Sequence, residues 1–229
     1  MRALLPAVLA VALIVALGSE LVVPPVLESR LAESLRPAAG GAVRVDLHSF
    51  PALRMLAGSI DRMDIVATDV WAGGLAVRKL HLSASDLTVD VDRLLAGEPW
   101  RPPPGDVRVE AIIDDEALSR FVKSQVAVAD DVTVEIDEAG ARFALRGTVL
   151  GRSLEVSIRG RFVAEGGPRV GFTPEEVAVG GQALPPALAE ALGQAYPVTV
   201  DLPGEPLPVI VEAIDHRPGR LVVKGRLGP

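Results

Sequence analysis

Residues 43–60 read VRVDLHSFPALRMLAGSI, and the alternation in their first half sets the pattern for most of the chain. Val43, Val45 and Leu47 fall on one side of a two-residue period. Arg44, Asp46 and His48 fall on the other, which predicts a strand with one buried face. Phe50-Pro51 ends it, because proline has no N–H to give to a ladder. Leu53, Leu56 and Ile60 follow at spacings of three and four, predicting a short helical turn that lays an apolar edge back on the sheet, with Gly58 permitting the exit. No catalytic group lies in this unit; its residues suit a fold that surrounds something apolar.

Upstream, residues 24–36 (PPVLESRLAESLR) place Val26, Leu27, Leu31 and Leu35 on one stripe. Pro24 or Pro25 suits a first helical turn, and Pro37 with Gly40-Gly41 ends the helix. Its polar face mixes both charge signs, so an amphipathic helix packed on a sheet is expected rather than one lying on a membrane. Downstream, alternation predicts strands over 61–70, 75–82 and 87–91, a helical turn at 92–95, and a Pro/Gly-rich connector over 97–105 with Trp100 packing down as a plug. A strand over 106–113 leads to a helix capped by Asp114 or Asp115 and running to about residue 125, with Leu118, Phe121 and Val122 on its apolar stripe. Strands over 131–136, 141–148 and 152–163 turn Val132, Val134, Ile136, Phe143, Leu145, Leu154, Val156 and Ile158 inward. A strand over 168–179, a short helix over 185–194 and two or three closing strands complete the pattern, the last hairpin turning at Arg217-Pro218-Gly219. About ten short strands with three helices make an α+β fold, with mostly antiparallel sheet packed on an amphipathic helix.

The N-terminus changes the address. Arg2 precedes an uncharged apolar run over residues 3–17, and Ala16-Leu17-Gly18 offers the small-x-small pattern of a signal-peptidase site. A retained anchor is the other reading: a spanning helix needs roughly 20 apolar residues, which residues 4–26 supply only by drawing Glu20 towards lipid. Either way the body lies outside the cytoplasm, as a single β-rich domain over 19–229 behind a segment 1–18 that is a signal peptide or anchor. With no cysteine, a cysteine-linked lipid anchor and a disulfide framework are both excluded. A net charge of −7 leaves little to neutralise a run of phosphates and argues against nucleic acid. Aromatics are 3% of residues, so a buried ligand would be held by aliphatic side chains rather than by stacking.

Candidate chemistry is sparse. His48, His81 and His216 are far apart, and none has metal-ligand spacing. No G-x-S-x-G surrounds any serine. The pairs Asp114-Asp115 and Asp130-Asp131 precede a helix or strand, where capping and turns account for them. Nothing implies a cofactor, and a binding role leads over an enzymatic one.

The strand leading into S-F-P-A-L-R-M-L-A-G-S-I, the alternating D-I-V-A-T-D-V, and a tail of Y-P-V-T-V-D-L-P-G-E-P-L-P-V-I-V-E-A-I followed by G-R-L-V-V-K-G together resemble the LmeA-like phospholipid-binding proteins of bacterial cell envelopes. The tail departs from the family's smoother leucine-proline run at Gly204-Glu205-Pro206. The resemblance implies an envelope protein that binds phospholipid, phosphatidylinositol types among them, at a membrane surface, and that supports lipoglycan (mannan) elongation. It also implies a fold like tubular lipid-binding domains, in which a curved antiparallel sheet wraps a long helix.

On that reading, acyl chains would lie between Leu27, Leu31 and Leu35 of the first helix, Leu118, Phe121 and Val122 of the second, and the inward strand residues Val45, Leu47, Phe143 and Leu145. Phe50, Leu53 and Leu56 would form the mouth, and Arg44, Arg54 or Arg62 would meet a head-group phosphate. Burial of each methylene is worth about 0.8 kcal/mol, so a dozen desolvated carbons hold a lipid without a charged grip. Two other readings stay open: an envelope scaffold or assembly factor with a solid core, and a lipid or glycan hydrolase using Asp114 and Asp115.

Overall fold

In the computed structural model, which describes residues 4–98, 107–126, 129–149, 152–185, 187, 198–201 and 209–228, with side chains from Ser19 onward, the alternation becomes two antiparallel sheets. The first contains β1 (Ala42–His48), β2 (Ser59–Ala72), β3 (Leu75–Thr88), β4 (Val107–Asp114), β11 (Val209–Arg217) and β12 (Arg220–Leu227), in the order β1-β2-β3-β4-β12-β11. The second contains β5 (Asp131–Asp137), β6 (Gly140–Val149), β7 (Arg152–Ala164), β8 (Arg169–Val179) and β10 (Val198–Asp201), in the order β10-β8-β7-β6-β5, with the two-residue β9 (Gln182–Ala183) beside β8. The helices are α1 (Leu4–Ala39), α2 (Leu53–Leu56), α3 (Val91–Leu95) and α4 (Asp115–Gln125). The architecture is the expected α+β class, and the sheets do not close into a barrel.

Four local expectations change. The first helix does not begin at Pro24: α1 runs unbroken from Leu4, with Pro24, Pro25 and Pro37 inside it, so the apolar N-terminal run and the amphipathic stretch are one element. In α2 the buried side chain is Met55, while Leu53 and Leu56 face outward. The strand expected over 75–82 runs on to Thr88 as β3, the expected strand 87–91 ends there with Val91 opening α3, and Leu154 is exposed. The Trp100 plug and most of the helix over 185–194 fall outside the described residues.

One face of the first sheet is apolar along β1 to β4 and β12, with His216 of β11 at its border with the second sheet. Along β4 it presents Val107, Val109, Ala111 and Ile113, and along β12 Leu221, Val223, Gly225 and Leu227. Arg108, Glu110, Lys224 and Arg226 point the other way, as in a sheet with one wet face. Each strand of the long β2–β3 hairpin changes phase twice. Ile60, then Met63, Ile65 and Ala67, then Val70 are buried on β2; Leu75 and Val77, then Leu80, Leu82 and Ala84, then Leu87 face inward on β3. Asp69 (φ 57°) and Asp86 (φ 55°) sit at two of these breaks, in the left-handed region that aspartate tolerates better than most residues.

Two lids cover this face. At one end Val23, Leu27, Leu31 and Ala32 of α1 pack with Val45, Leu47, Met55, Met63, Ile65, Leu82, Val107 and Leu227. At the other end the second sheet and α4 pack against Val70, Val77, Ile113 and Leu221. Phe143, Phe162 and Phe172, three of the chain's five phenylalanines, meet there edge to face or tilted, at centroid distances of 4.9–6.0 Å. At the β7–β8 bulge Gly160 has no room for a side chain, since a Cβ would strike the Thr173 carbonyl.

Helix side chains satisfy the strand edges. Glu28 Oε1 accepts from the Leu47 amide of edge strand β1 at 2.9 Å, and Ser119 Oγ of α4 accepts from the Val134 amide of edge strand β5 at 2.8 Å. The sheets join where the β11 edge meets the second sheet: the Val211 amide donates to the Gly167 carbonyl at 2.8 Å, and the Phe162 amide donates to His216 Nε2 at 3.1 Å.

Accepting that bond requires an unprotonated Nε2. Burial, reinforced by the Arg161 guanidinium, holds the His216 imidazole below its ordinary value of 6.5, while Asp137, Asp215 and Glu175 pull the other way. A group held down in the fold takes its proton more readily when unfolded. Its stabilisation is therefore complete above the unfolded value and is lost as pH falls from there through the folded one. His216→Gln keeps an acceptor but cannot titrate. Urea midpoints of the variant are expected to fall less than those of the parent as pH drops below about 6.5; parallel curves would contradict this account of the joint.

Candidate functional site

Inward residues of the first sheet line up in rows across it. One row runs Val43, Ala67, Leu80, Ala111, Val223, Ile214, each directly opposite the next on the neighbouring strand. Strands lie roughly 4.8 Å apart, so its five steps make a band about 24 Å long. The band lies where one lid gives way to the other, since Val43 and Leu80 pack against both clusters. Val43, Leu80, Ala111 and Ile214 face inward yet are only half-buried. The adjacent row, Val45, Ile65, Leu82, Val109, Gly225 and Val211, is buried throughout. Two alanines keep the half-covered row shallow. It is an uncharged aliphatic strip that offers burial and no hydrogen bonds.

The residues expected to meet acyl chains divide between the lids. Leu27, Leu31, Val45 and Leu47 are together under α1, with Leu35 packed at their margin. Leu118 and Phe143 belong to the other cluster, with Phe121, Val122 and Leu145 half-buried against it. Phe50, Leu53 and Leu56 are exposed at the far end of α1's lid. The transverse band was not assembled from sequence, because it depends on register across six strands. Alternation alone marks Val43 and Leu80 as inward but does not place them side by side.

Of the three arginines considered for a phosphate, Arg54 is engaged within the protein. Its guanidinium bonds Asp61 Oδ1 at 2.9 Å and Ser59 Oγ at 3.0 Å. The Phe50 amide, first among several influences, holds the Asp61 carboxyl below its ordinary value, and Arg54 adds to the effect. Arg44 is exposed on β1. Arg62 lines a groove of about 410 Å³ on the wet face of the first sheet, with Asp64, Ser83, Ser85 and Arg108. A second groove of about 620 Å³ on that face contains His81, Glu110, Glu212, Lys224 and Arg226. Both are polar: His81 is hydrogen-bonded to Asp64 at 3.0 Å, and ion pairs join Lys224 to Asp215 at 2.7 Å and Arg226 to Glu212 at 2.9 Å. They suit water, not hydrocarbon.

Carboxylates weighed for catalysis have structural work. Asp114 pairs with Arg78 at 2.5 Å, and Asp115 Oδ1 accepts from the Glu116 amide at 2.7 Å in the first turn of α4. Among the described residues no group of three or more His, Asp and Glu side chains converges as a metal site.

An apolar strip on one face and ion-paired grooves on the other give the setting for the comparisons. The family model described as LmeA-like phospholipid-binding matches residues 18–226. The chain belongs to this family. Comparison with curated proteins and with solved structures gave no match. In this LmeA-like protein the strip is an uncharged aliphatic surface, whereas the grooves of the opposite face are polar.

Coverage of the two regions can be compared directly. Leu31→Ala, beneath α1, is expected to cost about 2–5 kcal/mol in urea unfolding. Leu80→Ala, in the half-covered band, is expected to cost clearly less because its site is already partly open. Equal losses would mean that the band is packed as tightly as the core.

Proposed function

We propose that this LmeA-like protein binds phospholipid with its acyl chains along the Val43–Ile214 band, between α1 and the second sheet. The observation that carries this reading is the band itself: a run of uncharged inward aliphatic side chains crossing six strands, of which Val43, Leu80, Ala111 and Ile214 are only half covered while Ala67 and Val223 are buried. Leu35 and Ala39, near the end of α1, pack on its two flanking clusters and form one wall. Leu145 and Ile158 stand on the other side, against the second cluster. Desolvating a dozen methylenes contributes about 10 kcal/mol before ordering costs, enough for binding without a charged grip.

The protein is exported, works on the envelope side of a bacterial membrane, and takes its lipid at a membrane surface. In that setting it supports envelope lipid and lipoglycan biogenesis as a binder rather than an enzyme, with phosphatidylinositol-type lipids among its ligands. Val45, Leu47, Leu27 and Leu31 continue the apolar face towards the exposed Phe50, Leu53 and Leu56, which gives the lipid a greasy route under α1.

Native mass spectrometry of the purified protein, followed by solvent extraction, is expected to find a stoichiometric phospholipid. Ala111→Leu fills the half-covered row and is expected to lower lipid occupancy without lowering the melting temperature. A bare mass, unchanged after incubation with vesicles, would overturn the proposal and favour a scaffold with a filled core.

A further inference from the structure

The outward face of α1 changes character along its length. From Glu28 onward it is polar, with Ser29, Arg30, Glu33 and Arg36 exposed. Before that it is not: Leu21 is 78% exposed and Val22 62%. These two residues are a helical step of about 100° apart and neither faces the sheet, where Ser19, Val23 and Leu27 point. A helix that is apolar all round is one that leaves water. The same helix continues backward into the uncharged run over residues 3–17.

At this level on α1 the chain presents more exposed hydrocarbon. Phe50 is 74% exposed, and Leu53 and Leu56 of α2 and Leu95 of α3 are also exposed. Both short helices pack on α1. Phe50 is held in place: its amide donates to Asp61 Oδ2 at 3.1 Å, and two residues on, the Ala52 amide donates to Glu20 Oε1 of α1 at 2.8 Å. The one carboxylate at the apolar end of the helix is thus bonded inward to this loop rather than left facing lipid. Four outward apolar side chains, beside a helix whose outward face is apolar at Leu21 and Val22, make a collar around the exit of α1.

We infer that the protein docks end-on to a phospholipid bilayer through this collar, with Phe50, Leu53 and Leu56 entering the interface beside the emerging α1 and Leu21 and Val22 completing the ring. A bilayer fits better than a protein partner because the apolar surface surrounds a helix that itself becomes uniformly apolar, and only a lipid phase is apolar on every side of it. The inference rests on the phospholipid-binding reading and adds where the membrane sits: below α2 and α3, at the end of the apolar face opposite the second sheet.

The chain has no cysteine, so single labels can be placed cleanly in the full-length protein. Phe50→Cys, Leu53→Cys, Leu56→Cys and, as a remote control in the β5–β6 turn, Glu138→Cys would each carry an environment-sensitive dye. The probe is a vesicle of phosphatidylcholine and phosphatidylglycerol containing a lipid-borne quencher. Labels at 50, 53 and 56 are expected to shift to the blue and lose most of their emission to the quencher, while the label at 138 does neither. Water-like emission at all four sites would overturn the docking geometry, and so would a blue shift without lipid quenching that grows with protein concentration, which would put a second copy on the collar. Phospholipid co-purifying with a protein whose labels stay in water would leave the binding proposal standing and remove only this one.

Discussion

Everything in this protein follows from the need to cover one long apolar face. Strands β2 and β3 are 14 residues each, which at about 3.3 Å per residue makes a hairpin roughly 46 Å long. The buried stripe of α1, Val23 to Ala32, covers one end of this face, and the second sheet with α4 covers the other. The boundary between the lids is where the inward residues Val43, Leu80, Ala111 and Ile214 remain half exposed.

The edges show the same economy. Isolated edge amides invite pairing with other chains, and here Glu28 and Ser119 occupy one on each outer strand. The β11 edge, instead of ending in solvent, meets the second sheet through the Val211 and Phe162 amides. These bonds set how the lids sit on the face, and therefore where the half-covered band falls. Leu27 and Leu31, buried beneath α1, serve as core whatever else they touch.

Much of this was legible in the chain. Period-two alternation located β1, β5, β6 and β8 to within a residue or two, and the stripe of Leu27, Leu31 and Leu35 marked the buried side of α1, although Val26, read with them, faces outward. Reading Pro24 as a helix start failed because two prolines are tolerated inside a helix whose neighbouring residues are held by packing. Leu53 and Leu56 were assigned inward on spacing alone, but a four-residue helix has only one buried position, and Met55 takes it. Two of the four phase changes of the β2–β3 hairpin fall at the left-handed Asp69 and Asp86, which carry no distinctive sequence signal. Register across six strands is a tertiary property, so the Val43–Ile214 row became visible only with the strands in place, although alternation already marked Val43 and Leu80 as inward.

Hydrogen–deuterium exchange of the full chain, with and without phospholipid vesicles, addresses the central claim most directly. A lipid lying between the lids should slow exchange at the end of α1 and in β1, β3 and β4 around residues 43, 80 and 111, leaving the β5–β6 hairpin unchanged. Protection confined to the wet face near Arg62 and Arg108, or none beyond the collar at residues 50–56, would contradict it and move the lipid off the face the fold is built to cover.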